Sequence, residues 1–426
     1  MKFSFSAVFI SVLLGSASLV SSRPVKGGKK MTMGAAQGQA VGAAYFITNE
    51  DSGNFVVSAD IGADGKLNLR QAISTGGFGQ HGDDGAATPG PDGTFTQGAI
   101  KASAASNMLA TVNPGSNTLS LFSIDSANPS ALKQVGLPVS SGGEFPVSLA
   151  FNSAGDSVCA LNGGEVNGVN CFKVDKTKGL VPIAGTNRDL GLNQTTPANG
   201  PPGTASHIIF SEDGSQLIAS IKGVPPTPGF LAIWDVAQDG SLSQDFNSLA
   251  PADGGLLPFS MTLIKGKSAI LATDAGLGFD IFDLSAGGAQ GNASQVAAGK
   301  SSANAIDGQV ATCWSSFSPK TGNFYLTDVG TSLVTEIHVD DNLKGTLVKQ
   351  YPQGNGTATI DNDIATVGDN DFMYVLQPNS TSISVLSLNA PGQAQNTQTV
   401  DIAGPAKNAG LTVGVSLQGM TTFIRK

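Results

Sequence analysis

The sequence predicts an all-β fold, a seven-bladed β-propeller of four-stranded antiparallel blades closed by a C-terminal strand. Three observations carry the prediction. A short strand pattern recurs seven times at intervals of about 48–65 residues, the size of a propeller blade. Each copy follows a strand–turn–strand stretch and precedes a looser strand. The composition of 55 Gly and only 13% charged residues suits many tight turns and short strands better than long surface helices.

The repeat reads VVSAD (56–60), LFSID (121–125), CFKVD (171–175), IWDVA (233–237), IFDLS (281–285), EIHVD (336–340) and VLSLN (385–389). Its second position is always apolar: Val57, Phe122, Phe172, Trp234, Phe282, Ile337 and Leu386. These copies are the third strand, c, of each blade. Strands a and b lie upstream, as in SLAFNSAGDSVCAL, HIIFSEDGSQLIAS, SSFSPKTGNFYLTD and DIATVGDNDFMYVL, where Asp-Gly, Thr-Gly and Asn-Asp supply hairpin turns. Strand d follows, as in GLVPIAG and TLVKQYP. Apolar positions on both faces of strand c (Leu119 and Leu121 against Phe122 and Ile124) are what a sheet packed between two neighbouring sheets requires. The first copy opens at AAYFITNE, already strand b, so its strand a is missing. The segment LTVGVSLQG (411–419) has no blade of its own and is expected to supply that strand, removing a free sheet edge.

Residues 1–22 read as a secretory signal peptide: Lys2, then the apolar run Phe3–Leu14, then small residues at 17–22. Residues 23–41 are expected to be a flexible segment outside the fold and 42–426 the propeller. A secreted, extracellular or wall-associated protein follows. Four Asn-x-Ser/Thr sequons agree with export, at Asn193, Asn292, Asn355 and Asn379. Cys159 and Cys171 flank a hairpin turn and are expected to pair as a disulfide in an oxidising compartment. Cys313 is left as a buried free thiol. No segment is apolar for long enough to span a membrane as a helix, and a net charge of −9 without a basic patch argues against nucleic acid. No stretch has calcium-loop spacing, so no metal is expected, and no cofactor.

A site is expected at the end of the ring where the inner strands begin. Two long connections meet there, 75–98 and 185–206. They carry His81 and Arg188, and the second leads into His207 at the head of strand a of the fourth blade. Glu144 stands at the start of the third blade, Lys222 in the turn KGVPPTPG, and Trp314 at the head of the sixth. His207 and Glu144 are the candidate acid/base groups and Arg188 the oxyanion or carboxylate partner. His81, Lys222 and Trp314 are candidate ligand contacts. The structural alternative is that His207 simply fills a strand entry.

The blade pattern, with FTQGAI, NPGSNTLSLFSID, GGEFPVSLAF, LNQTTPANGPPGT and FSEDGSQLIASIKG, resembles the secreted fungal branch of the lactonase-type seven-bladed propellers, labelled 3-carboxymuconate cyclase-like. The wider family includes 3-carboxy-cis,cis-muconate lactonizing enzyme and 6-phosphogluconolactonase. The resemblance implies lactone formation or opening at the channel mouth without a cofactor, on a small lactone or carboxylate. The chain departs from the family's pattern where Pro-His is common, carrying Pro146-Val147 and Pro258-Phe259, and it has only four arginines. The competing reading is a non-catalytic extracellular propeller that binds a polysaccharide or protein, of the cell-surface antigen or adhesin type.

Overall fold

The computed structural model describes residues 29–35, 39–286 and 289–425, without side chains over 286–295. The signal-peptide segment lies outside the described residues. Seven sheets follow one another around an axis. Blade 1 comprises strands a (Gln418–Ile424), b (Gly42–Ile47), c (Phe55–Ile61) and d (Leu67–Ser74). In blades 2 to 7 strand a is Ile100–Ser103, Pro146–Phe151, Ala205–Phe210, Pro258–Ile264, Thr312–Ser318 and Asn362–Val367. All seven copies of the repeat are strand c, and its second residue is fully buried in every blade. That position is the centre of the blade-to-blade packing.

Alternating residues of one strand serve different neighbours. Ile270 packs between blades 4 and 5, whereas Leu271, one residue on, packs between blades 5 and 6. This is why the strands read apolar on both faces. Cys159 and Cys171 sit opposite each other on strands b and c of blade 3 and form a disulfide. Closing a loop of this size stabilises a fold by about 3 kcal/mol.

Two placements differ from expectation. The closing strand is Gln418–Ile424, not 411–419: a helix, Ala403–Ala409, ends at Gly410 (φ 71°), and 411–417 is an irregular bridge that carries the chain back to the axis. The shift has a packing cause, since Met420 and Phe423 must reach the two clusters on either side of blade 1. Part of the segment 23–41 also belongs to the fold. Lys30–Thr32 adds a fifth strand outside strand d of blade 1, where Met31 and Met33 are buried. Ala289–Val296, which carries the Asn292 sequon, lies parallel to Asn247–Ala250 at the outer edge of blade 4.

The bore is filled from one end by the first long connection. Residues 92–99, at its end, are buried throughout. They bond to the inner parts of five blades before the chain runs on into blade 2. Thr94 Oγ1 donates to Gln418 of blade 1 at 3.1 Å and Thr96 Oγ1 to the Val147 carbonyl of blade 3 at 3.0 Å. The Gln97 N–H donates to the Ser206 carbonyl of blade 4 at 3.1 Å. The Gln97 amide clasps both backbone groups of Ser315 in blade 6, donating to its carbonyl at 3.1 Å and accepting from its N–H at 3.2 Å. The Gly98 N–H donates to Asp361, beside blade 7, at 3.3 Å. Gly98 is needed at that point: its φ is +92° and a Cβ would lie 2.8 Å from Ser148 Oγ.

Candidate functional site

The residue opposite the first position of strand c is polar in six blades: Thr48, Asn113, Asn162, Asp274, Asp328 and Gln377. These side chains tie down the adjoining turns, as Asp328 does for the N–H groups of Val310, Ala311 and Gly330. Blade 4 breaks the rule. Ile221 takes the equivalent place, paired with Phe230, and the next residue is Lys222. Its side chain is buried and turned inward. Lys222 Nζ donates to the Phe95 carbonyl at 2.8 Å and to Ser206 Oγ, and lies 4.4 Å from the centroid of the Phe259 ring.

Lys222 stands at the floor of a cavity of about 390 Å³ beside the plugged bore. The buried part of its lining includes Asp92, Phe95, Lys222, Phe259, Cys313 and Trp314. The lip includes Ala86, Pro201 and Pro202, exposed residues of the two long connections. Those connections are bonded to each other, the Asp83 N–H donating to the Ala198 carbonyl at 2.8 Å and the Gly200 N–H to the Asp83 carbonyl at 2.9 Å. Trp314 is held by its Nε1–H, which donates to the Thr96 carbonyl at 3.0 Å, and by an edge contact with Phe259 at 5.2 Å.

The electrostatics of the floor are those of a buried acid beside a buried base. Burial raises the Asp92 carboxyl, and Lys222 and the Thr96 N–H oppose the rise. Burial lowers the Lys222 ammonium, and Asp92 opposes the fall. Burial also pushes the Cys313 thiol well up, so it stays protonated. The cost of ionising either member of the pair alone brings their proton affinities together, which suits proton exchange near neutral pH.

Of the residues singled out in the sequence, Lys222 and Trp314 meet at this cavity. The others do not. His207 is buried in the wall, level with Ser148 and Trp314 on their own strands. Its Nδ1 accepts the Met261 N–H at 3.0 Å, so the neutral ring carries its proton on Nε2, and burial lowers its proton affinity well below that of a free histidine. It bolts blade 4 to blade 5 and cannot act as the acid/base at a mouth. Arg188 stands outside strand c of blade 3, its guanidinium taken up by the carbonyls of Ser243, Leu242 and Asn187 at 2.6, 2.6 and 2.8 Å. Glu144 accepts from Thr196 Oγ1 in the second long connection. His81 lies behind Phe95, ring to ring at 6.2 Å, with both nitrogens against carbonyls of its own loop.

Sequence reasoning missed Asp92 and Phe259. Nothing local marks Asp92, which lies in a Gly/Pro-rich loop. The broken polar-cap rule at Ile221-Lys222 was the available signal for this corner of the ring.

Residues 38–196 match the family model described as "Lactonase, 7-bladed beta-propeller". The match covers the first part of the seven-bladed propeller. Among solved structures, this propeller is similar to the periplasmic gluconolactonase of Pseudomonas aeruginosa (16% identity, TM-score 0.60, 90% of this chain and 100% of that one). It is also similar to a candidate 6-phosphogluconolactonase of Bacteroides fragilis (12% identity, TM-score 0.59, 91% of this chain and 100% of that one). A protein of unknown function from Desulfotomaculum acetoxidans is similar too (11% identity, TM-score 0.57, 90% of this chain and 99% of that one). At these identities the likeness speaks for the fold. No curated protein matches the chain.

The buried carboxyls of this propeller set its pH response. Asp280 is held protonated: burial and the neighbouring Asp274 both raise it well above the ordinary carboxylate range. Asp361, buried beside the plug, is raised to about 7, chiefly by burial, and Asp363 is raised for the same reason. In the unfolded chain these groups ionise near pH ~4. Their contribution is therefore complete below about pH 4 and is lost as pH rises toward 7, because the unfolded chain releases protons that the fold retains. His207 acts oppositely, its contribution being present above about pH 6.5 and lost as pH falls. Asp92 and Glu50, also raised by burial, act with these carboxyls, and the lowered Lys222 ammonium acts with His207; five raised carboxyls outweigh two lowered bases, so urea unfolding is expected to give a higher stability at pH 5 than at pH 8. Asp280→Asn should flatten the profile and raise stability at pH 8. Equal stability at the two pH values would contradict these assignments.

Proposed function

We propose that the protein opens a small lactone or ester ring in the cavity floored by Lys222 and Asp92. The carrying observation is that pair: an acid and an amine, both buried, beneath apolar walls. The cavity is at the low end of the ~300–1,000 Å³ typical of small-molecule sites. In the proposed step Asp92 takes a proton from water while the water oxygen bonds to the acyl carbon. Lys222 donates to the developing oxyanion. The ring C–O bond then breaks and the leaving oxygen takes the proton held by Asp92, giving the hydroxy acid. Lactone plus water balances the product, and no cofactor enters.

We also propose that the protein is exported. The Cys159–Cys171 disulfide supports an oxidising compartment, and the sequon side chains of Asn193, Asn355 and Asn379 are exposed. The leader expected at 1–22 agrees with this reading.

The test is hydrolysis of a panel of uncharged and charged lactones by the purified chain, followed by pH-stat. Lys222→Met and Asp92→Asn should each lower kcat/KM by about 100-fold or more, the usual cost of losing a positioned donor. Glu144→Gln and Arg188→Ala, which lie off the cavity, should stay within a few-fold. Thermal melts separate loss of chemistry from loss of fold. A wild-type protein that turns over none of the panel would end the enzyme reading; ligand binding without turnover would leave a binding propeller.

A further inference from the structure

The ligand class of the cavity follows from how its charges are already used. Three ionisable groups other than the Cys313 thiol line it: Asp84, Asp92 and Lys222. Lys222 is the one cation: its charge is balanced by Asp92, it faces the Phe259 ring, and Phe95 and Ser206 take two of its three N–H donors, which leaves one donor for a neutral carbonyl oxygen. Asp84 stands in the exposed loop at the lip. The formal charge of the three is therefore −1. The described arginines are elsewhere: Arg70 pairs with Asp60 at 2.9 Å, Arg188 is spent on carbonyls, and Arg425 donates to the Ala40 carbonyl at 3.0 Å.

An anion entering this cavity would lose its water and find no net positive charge. Burying an uncompensated charge is strongly disfavoured even after relaxation, and phosphate and carboxylate recognition ordinarily uses an unspent Arg fork or Lys ammonium. The walls point the other way. Phe95, Phe259, Trp314, Leu257 and the Pro201-Pro202 lip offer apolar faces to a ring or an alkyl chain. We propose that the site takes an uncharged, largely apolar lactone or ester and excludes phosphorylated and polycarboxylate ones. This rests on the cavity being the working site, as proposed above, and not on its turning the ligand over.

Binding is the readout, by calorimetry on the intact protein with δ-decalactone, 6-phosphogluconate and a tricarboxylate as probes. The lactone should bind about 100-fold more tightly than either anion, or more. Asp92→Asn, which removes a negative charge from the floor, should narrow that gap at least tenfold. Ala275→Phe, which fills the cavity from a half-buried wall position, should weaken the lactone at least tenfold while leaving the melt unchanged. Anions binding as tightly as the lactone would overturn the inference, and so would failure of all three probes to bind. Tight lactone binding with no hydrolysis would uphold it and defeat the catalytic reading instead.

Discussion

A chain ending at Gly410 will not form the closed ring. Strand a of blade 1 is Gln418–Ile424, and removing it leaves Gly42–Ile47, buried at every residue, as a bare edge. The strand also pins two interfaces. Met420 belongs to the cluster containing Tyr374 and Ile383 of blade 7, while Phe423 belongs to the cluster containing Ile100 and Leu109 of blade 2. Each buried side chain of this size is worth about 1.5–3 kcal/mol, and the hydrogen-bond ladder to Gly42–Ile47 is lost with them. Gln418, which bonds the plug through Thr94, goes too. Together these losses approach the ~5–15 kcal/mol total stability of an ordinary domain. Size exclusion should show an expanded or aggregated species, and near-UV dichroism should be lost. A truncated chain that melts with the wild type would refute the closure.

The second large effect is expected at Trp314. Its side chain is fully buried, joins the plug to blade 6, and lines the cavity. Trp314→Ala should cost about 3–5 kcal/mol, as large-to-small changes in cores do. Trp314→Phe keeps most of the volume but strands the Thr96 carbonyl, so it should cost about 1–3 kcal/mol. Urea titration of both variants checks the order. Because the chain has only Trp234 and Trp314, the same variants assign the fluorescence of each. If Trp314→Phe costs nothing, the bond to Thr96 contributes nothing, and the plug is held by its other contacts.

The strand repeat was legible because it is local. VVSAD, LFSID and their relatives carry a buried residue at a fixed place, and alternation along a strand is written in neighbouring residues. The hairpins at HIIFSEDGSQLIAS and SSFSPKTGNFYLTD were legible for the same reason. The closing strand was legible in kind, by counting strands, but its register was not. Only the placing of Met420 and Phe423 between two blades selects 418–424 over 411–419. The meeting of the two long connections was legible, and both reach the lip of the candidate cavity. Its residues were mostly not. His207 looked like chemistry because histidine is rare in this chain, yet the Met261 N–H claims its ring. Arg188 looked like a free cation, yet three carbonyls hold it.

The amino-acid sequence by itself determined that there are seven blades, which residue centres each interface, and at which end the long loops gather. Periodicity is a property of adjacent residues, and it survives without knowledge of the partner strand. Only the tertiary structure decided that residues 92–98 fill the bore, that Asp92 and Lys222 share one cavity, and that His207 belongs to the wall. Those pairings join groups up to 324 residues apart along the chain, as Thr94 and Gln418 are. No local pattern encodes them, because they form only where the closed ring brings separate inner strands around one axis.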